Sequence, residues 1–136
     1  MHIEIVDGPV SIEYALERLK TTDAGALVVF TGMVRPEEEG RRIDKLHYEH
    51  YPELAGKMIH EIVNDAMARH HLTDAVVIHR YGDVRAGEVS VVIAVSSERR
   101  VNAFKGCSEI IDRIKQEVPI WKKDVGERTQ WQSERK

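Results

Sequence analysis

An amphipathic segment closed by a proline, residues 96–124, constrains the fold more than any other part of the sequence. Apolar residues recur in it at helical spacing, which predicts one long helix with a stripe facing the core. Pro119 disfavours helical geometry at the preceding residue, so we expect the helix to end at Val118. Ser96 or Ser97 is expected to cap its start. The predicted stripe consists of Val101, Phe104, Cys107, Ile111, Ile114 and Val118.

Shorter periodic segments before this helix predict a mixed fold. Residues 2–6 and 43–51 alternate polar and apolar side chains as half-buried strands do, and residues 52–67 carry a helical apolar stripe. Residues 75–81 and 88–96 are expected to pair as antiparallel strands. The predicted order is strand, helix, strand, strand, helix, strand, strand, helix, strand, strand. That order is typical of an α+β domain rather than of repeated βαβ units.

An apolar run rich in β-formers, residues 26–30, is interpreted as a central strand buried on both faces. The strand continues to Arg35, where it leaves the core and provides a rigid base for a guanidinium group. Residues 36–42 follow with three consecutive glutamates and nothing apolar to bury. We therefore expect a solvated hairpin connection there.

Composition excludes several classes of function. The chain has 136 residues and 42% apolar content, which predicts a single domain over residues 1–136. Its formal charge of −3 argues against a nucleic-acid binder, since such domains usually carry a net basic field. No apolar run approaches the roughly 20 residues of a membrane span, and the N-terminus does not resemble a signal peptide. With one cysteine, these features predict a soluble, cytoplasmic protein without a disulfide or membrane contact.

Neither the cysteine nor the histidines form a convincing reactive centre. Cys107 lies on the apolar stripe and is interpreted as a small buried residue rather than a nucleophile. His47 and His50 are expected on opposite faces of a strand, and His70 and His71 are neighbours on a helix. Neither pair has the arrangement of metal ligands, so we expect no metal site.

Cations mark both ends of the long helix. Arg99 and Arg100 stand at its start, where backbone N–H groups favour phosphate, and Lys115 lies in its last turn. Lys122 follows seven residues later in an extended segment. Arg100 and Lys115 are about 22 Å apart along the axis, so one small ligand reaches both only if a second copy supplies one. Alternatively, Lys115 stabilises the helix dipole and Lys122 is a solvated strand charge.

Several segments together resemble the large, catalytic subunits of molybdopterin synthase, the MoaE family. They are residues 30–35, 49–52, 78–82, 97–104 and 119–123, with Lys115. The resemblance implies an α/β-hammerhead-like domain with an antiparallel β subdomain. It implies sulfur transfer to cyclic pyranopterin monophosphate, which forms the molybdopterin dithiolene without an added cofactor. The donor would be the thiocarboxylated C-terminal Gly-Gly of a small, ubiquitin-like MoaD-type subunit, in a heterotetramer built on a homodimer of the large subunit.

The resemblance also assigns the site residues. Lys115 and Lys122 correspond to the two active-site lysines of the family, and the remaining positions correspond to substrate-binding residues. Those positions are Met33, Val34, Arg35, Arg99, Arg100, Lys123, Asp124 and Arg135. Arg99 stands where the family usually has histidine, and an arginine cannot shuttle protons. Met33 replaces a residue that is often lysine, which removes one phosphate contact.

Two other functions are compatible with the same residues. A non-catalytic dimeric module would bind the C-terminal tail of a ubiquitin-like protein through the same cations and grooves. A small phosphate-ligand or RNA-binding protein would use the basic end segment, although the net negative charge argues against it. Sulfur-transfer turnover distinguishes the enzyme from the tail-binding module, and a weak salt dependence of any RNA binding would dismiss the RNA-binding alternative.

Overall fold

The computed structural model describes residues 1–49, 51–126 and 130–133, with side chains through Lys122. The helices are α1 (Ile12–Arg18), α2 (Pro52–His70) and α3 (Arg100–Glu117). The strands are β1 (His2–Val6), β2 (Ala26–Met33), β3 (Glu37–Glu38), β4 (Arg41–Glu49), β5 (Leu72–Arg80), β6 (Gly82–Arg85), β7 (Val89–Ser97), β8 (Trp121–Gly126) and β9 (Gln130–Ser133). Within these residues, every helix is too short or too polar to cross a membrane.

A four-stranded sheet in the order β1-β5-β7-β2 forms the centre of the fold. β1 runs parallel to β5, whereas β7 is antiparallel to both β5 and β2. Alternate residues of a strand face opposite sides of the sheet. Val77 and Ile93 therefore join the core beneath α2 and α3, while Val76 and Val92 join the core beneath α1. Burial on both faces explains the nearly unbroken apolar sequence of β5 and β7.

A second sheet contains β3, β4, β8 and β9 in that order, with β6 paired to β4. All its pairs are antiparallel. Leu46 and Tyr48 of β4, and Ile120 immediately before β8, are buried in the same core cluster as residues of α2 and α3. The α+β class with an antiparallel subdomain is therefore confirmed, and the two sheets share one apolar core.

The position of α3 agrees with the sequence, its cap does not, and its buried face agrees in part. The helix begins after Arg99 and ends at Val118, as Pro119 predicts. The predicted serine cap is wrong because Ser96 and Ser97 belong to β7. Their hydroxyls donate to the carbonyl oxygens of Lys20 and His71 at 2.6 and 3.2 Å.

The buried face of α3 is made of smaller residues than predicted. It consists of Ala103, Gly106, Cys107, Ile110 and Ile114. Val101 and Phe104, predicted to be core, are 54% and 61% exposed. Small side chains allow a close approach: a Cβ on Gly106 would lie 2.7 Å from the side chain of Leu72. Cys107, Ile114 and Val118 of the predicted stripe are buried, so the pattern of large apolar residues was right in part and missed the small residues of the buried face.

Three strands also differ from the prediction. β2 lies at the edge of its sheet rather than at the centre, and Leu27 in it is 47% exposed. An apolar run does not by itself show how many neighbours a strand has. β3 and β6 were not predicted, since two and four residues are too short to display a clear alternation.

Candidate active site

A small pocket lies where the end of α3 meets the hairpin formed by β3 and β4. It encloses about 140 Å³. Phe30, Ile43, Leu46 and Val91 contribute apolar wall. The charged residues in its lining are Arg35, Glu38, Lys115 and Lys122. The pocket thus combines apolar surface with a few convergent charges, as small-molecule sites usually do.

The turn from α3 into β8 brings the two lysines to this pocket. Lys115 lies in the last turn of α3, and Lys122 is the second residue of β8. Between them Val118 and Ile120 are 0% and 1% exposed, and the Ile120 N–H donates to the Val118 carbonyl at 2.9 Å. Because both flanks of Pro119 are buried, the direction of the turn is held by the core. Lys122 consequently returns to the pocket that Lys115 lines.

Two cations of the pocket, Arg35 and Lys122, face the same carboxylate oxygen of Glu38. Arg35 Nη2 donates to Glu38 Oε1 at 3.3 Å, and the same oxygen lies 3.8 Å from Lys122 Nζ. The side chains of Glu38 and Lys122 are each 18% exposed, whereas that of Arg35 is 73% exposed. Three cations and one carboxylate make the described lining net positive, although the chain as a whole carries −3. The pocket therefore favours an anionic ligand.

A second cleft lies at the opposite end of α3. It is lined by Gly25, Glu98, Arg99, Arg100 and Val101. No side chain in the described part of the chain caps this helix start. The Gly25 N–H donates to the Ser97 carbonyl at 2.9 Å, and a Cβ on Gly25 would collide with the Glu98 carbonyl oxygen. Glycine therefore allows the chain before β2 to pack directly against the segment that carries Arg99.

The structure places the predicted cations in two separate groups. Arg35, Lys115 and Lys122 share one pocket, and Arg99 and Arg100 line the other cleft. Because all residues from Arg100 to Lys115 lie on α3, the axial separation of about 22 Å holds. Within one chain, the arginine pair cannot contact a small ligand bound at the lysines.

Met33 and Val34 have different environments. Met33 lines the pocket of Lys115 and Lys122, called the lysine pocket from here on, and is 55% exposed. Val34 is only 2% exposed, its N–H donates to the Glu88 carbonyl at 3.0 Å, and its carbonyl accepts from Gly87 at 2.8 Å. The side chain of Val34 is therefore not among those that line the pocket. Val34 anchors the chain in the core and positions the neighbouring Arg35.

The last three predicted residues lie at or beyond the end of the described side chains. Lys123 and Asp124 are in β8, where their backbones pair with His47 and Leu46 of β4. Arg135 lies outside the described residues.

Cys107 lies in the core, as the sequence predicts. It is 4% exposed, and burial raises the pKa of its thiol to about 11. The thiol is therefore protonated at neutral pH and acts as a small apolar side chain.

Glu38 is the charged group of the pocket that the sequence did not identify. Glu37 and Glu38 pair with Arg42 and Arg41 across a two-residue turn. Glu39 and Gly40 in that turn have φ values of 52° and 76°, as tight hairpin turns require. Alternation along a strand then puts Glu37 and Glu38 on opposite faces. A hairpin centred on Glu39 and Gly40 was the signal that could have separated Glu38 from its exposed neighbours.

Fold and pocket together define an α+β protein with a cation-lined site for a small anionic ligand. The sequence model of the family described as MoaE protein matches residues 5–117. A molybdopterin synthase catalytic subunit from Thermoplasma volcanium is 42% identical over 124 residues, which cover 91% of this chain and 90% of that protein. The chain belongs to the MoaE family.

Solved structures show the same fold. The crystal structure of molybdopterin synthase from Staphylococcus aureus superimposes with a TM-score of 0.89 at 36% identity, and covers 95% of each chain. A complex of subunits 1 and 2 of molybdopterin-converting factor from Helicobacter pylori has a TM-score of 0.74 at 24% identity. That match covers 93% of this chain and 87% of the other, and it bears on the fold alone.

Proposed function

We propose that the chain is the catalytic subunit of a molybdopterin synthase. It transfers sulfur from the thiocarboxylated C-terminus of a small ubiquitin-like subunit to cyclic pyranopterin monophosphate, which forms the molybdopterin dithiolene. Membership of the MoaE family supports this function. The observation that carries it is that Lys115, Lys122 and Arg35 line one pocket, although they come from α3, from β8 and from the connection between β2 and β3.

The chemistry requires two anions to meet. The substrate carries a cyclic phosphate and the donor ends in a thiocarboxylate, so their mutual repulsion opposes the reaction. Cations placed in advance around both groups offset that repulsion and hold the reacting atoms close. The net positive lining of the lysine pocket supplies such an environment.

The two lysines have different roles in this proposal. Lys115 extends into the pocket from a helix whose end is fixed by buried neighbours, and its amine acts as acid, base or transient nucleophile. Lys122 lies at the start of an extended segment and orients the terminal glycine of the donor or the intermediate. Arg35 holds the phosphate, since a guanidinium can donate two parallel hydrogen bonds to an oxyanion.

A second copy of the chain completes the site. Arg99 and Arg100 are too far from Lys115 to reach the same ligand within one chain. In a homodimer the arginine pair of one subunit lies at the lysine pocket of the other. The small MoaD-type subunit inserts its Gly-Gly tail as an extended peptide, because glycine lacks side chains and passes a narrow opening. Two large and two small subunits then form a heterotetramer.

The remaining properties follow from the same assignment. The sulfur arrives on the partner, so the reaction needs no added cofactor. Lys123, Asp124 and Arg135 are assigned to substrate binding by their positions in the family pattern. Residues 1–136 act as one domain, and the reducing cytoplasm is the compartment suited to a protein with one buried thiol.

Conversion of cyclic pyranopterin monophosphate to molybdopterin tests the function. The purified chain is mixed with a thiocarboxylated small subunit, and product is detected as the fluorescent oxidised pterin. We expect turnover, which would also show that Arg99 replaces the usual histidine. A stable complex with the small subunit but without product would contradict the synthase and favour a non-catalytic module that binds the tail.

A further inference from the structure

Glu38 is the one carboxylate in the described lining of the lysine pocket. Its side chain is 18% exposed, and its Oε1 atom faces the guanidinium of Arg35 at 3.3 Å and the ammonium of Lys122 at 3.8 Å. Both cations are groups to which the proposed function assigns anion binding. The carboxylate of Glu38 therefore lies where an incoming anion would be bound.

We propose that Glu38 is an internal counter-anion, which holds Arg35 and Lys122 together in the empty pocket and is displaced by the anionic ligand. The inference rests on the proposed function only for the identity of that ligand. Glu38 is a positioning residue because it acts through the two cations. Its presence lowers the affinity of the pocket for anions, since the ligand must first replace it.

The geometry of the contacts favours exchange over a permanent ion pair. One oxygen serves both cations, at distances longer than those of charge-assisted hydrogen bonds, which are usually about 2.7–2.9 Å. The Arg35 side chain is 73% exposed, and partly exposed pairs of this kind contribute little net stability. A ligand that makes two closer contacts can therefore replace Glu38 at small cost.

The short strand that carries Glu38 also permits this residue to move. Glu38 is the second residue of the two-residue strand β3, whose only described strand partner is the adjacent β4. The base of the hairpin is fixed separately, because the Ile43 N–H donates to the Pro36 carbonyl at 2.7 Å. A shift of Glu38 away from the pocket thus disturbs only the two-residue pairing of β3 with β4. The central four-stranded sheet stays intact.

Glu37 provides a matched control. It precedes Glu38 on the same strand and carries the same charge, but it is exposed and is not among the residues that line the pocket. Glu38→Gln and Glu37→Gln therefore change the net charge equally. Only Glu38→Gln removes the charge that faces Arg35 and Lys122. Both glutamines preserve the shape of the side chain, and thermal melting checks that the hairpin variants fold.

The experiment measures binding of two anions to the wild-type chain and to each variant at constant ionic strength. Inorganic phosphate represents the phosphate of the substrate, and N-acetyl-glycylglycine represents the carboxylate end of the donor. NMR titration of the amides near Met33 and Lys122 reports binding at this pocket. We expect Glu38→Gln to bind at least one of the anions about fivefold more tightly than wild type, and Glu37→Gln to stay within about twofold.

Each outcome decides the question. Tighter phosphate binding identifies the substrate as the group that displaces Glu38, and tighter peptide binding identifies the donor tail. Equal affinities of the two variants for both anions would overturn the proposal, as would weaker binding by Glu38→Gln. These measurements do not require turnover, so they remain decisive even if the synthase assay fails. If it succeeds, Glu38→Gln should lower KM for the displacing ligand more than it changes kcat.

Discussion

Lys115 and Lys122 line the same pocket, although a helix end and a buried turn separate them along the chain. The contact between these two elements depends on Val118 and Ile120, which are almost completely buried on either side of Pro119. The position of the pocket is thus a consequence of core packing. Variants of the lysines themselves should change chemistry while leaving this packing intact.

Lys115→Ala should abolish sulfur transfer without unfolding the protein. Removal of a group that transfers protons or attacks substrate commonly reduces turnover by a factor of about 100 to 10,000. Lys105→Ala is the matched control, because Lys105 is an exposed lysine on the same helix. Turnover with the thiocarboxylated small subunit and thermal melting are measured for both. Near-normal turnover of Lys115→Ala would remove Lys115 from its catalytic role.

Much of the fold could be predicted because burial leaves a periodic signal in the longer elements. The paired strands β5 and β7 and the end of α3 at Val118 are examples. Very short strands, the order of strands in a sheet and the choice of buried face on a helix left no such signal. The edge position of β2 depends on which strands pair with it, and the exposure of Phe104 depends on which face of α3 has small residues.

The candidate site was predictable only in part, for a similar reason. The family pattern pointed to Arg35, Lys115 and Lys122, and the structure brings these three together. Helix length alone indicated that Arg100 and Lys115 are far apart in one chain. Glu38 was missed because its role depends on the register of a hairpin with two-residue pairing. Its residue type does not distinguish it from Glu37 and Glu39, and only a hairpin turn placed at Glu39 and Gly40 would have done so.

The buried thiol of Cys107 should make the protein less stable above pH 9. Burial raises the thiol pKa from its usual value near 9 to about 11 in the folded state. Above pH 9 the folded protein therefore retains a proton that the unfolded chain releases. The contribution of the protonated thiol to the free energy of unfolding is complete below pH 9 and is lost as pH rises towards 11. Between pH 8 and pH 10 the expected loss is about 1 kcal/mol.

Urea unfolding of wild type and Cys107→Ala at pH 8 and pH 10 isolates this effect. The variant is expected to be less stable at both values because a buried atom is removed. Between pH 8 and pH 10 the variant should lose less free energy of unfolding than wild type does, by about 1 kcal/mol. The same loss in both proteins would show that the Cys107 thiol is not responsible.

Gly25→Ala should destabilise the start of α3. A Cβ at residue 25 would collide with the backbone carbonyl oxygen of Glu98, and backbone atoms cannot rotate away as a side chain can. We expect a loss of about 1–3 kcal/mol, as in other overpacked sites. Gly8→Ala is the control, since nothing lies within 4 Å of a Cβ there, and it should stay within about 0.5 kcal/mol of wild type. Equal unfolding midpoints for the two variants would mean that the backbone near Gly25 shifts to accept the Cβ without a loss of stability.

The separation of Arg100 from Lys115 predicts that inactive variants can complement each other. If the arginine pair of one subunit serves the lysine pocket of its partner, Lys115→Ala and Arg100→Ala each damage every site of a homodimer. A heterodimer of the two variants concentrates both changes in one site and leaves the other intact. Two affinity tags allow the heterodimer to be purified, and it should recover about half of wild-type turnover.

The matched control pairs Lys115→Ala with Lys122→Ala. Lys115 and Lys122 line one pocket of one chain, so this heterodimer has one damaged lysine in each of its two sites. It should remain as inactive as the two homodimers. Recovery in both heterodimers would show that Lys115 and Lys122 of one chain do not serve the same site. Recovery in neither, or full activity of Arg100→Ala alone, would show that the arginine pair does not complete the lysine pocket of a partner subunit.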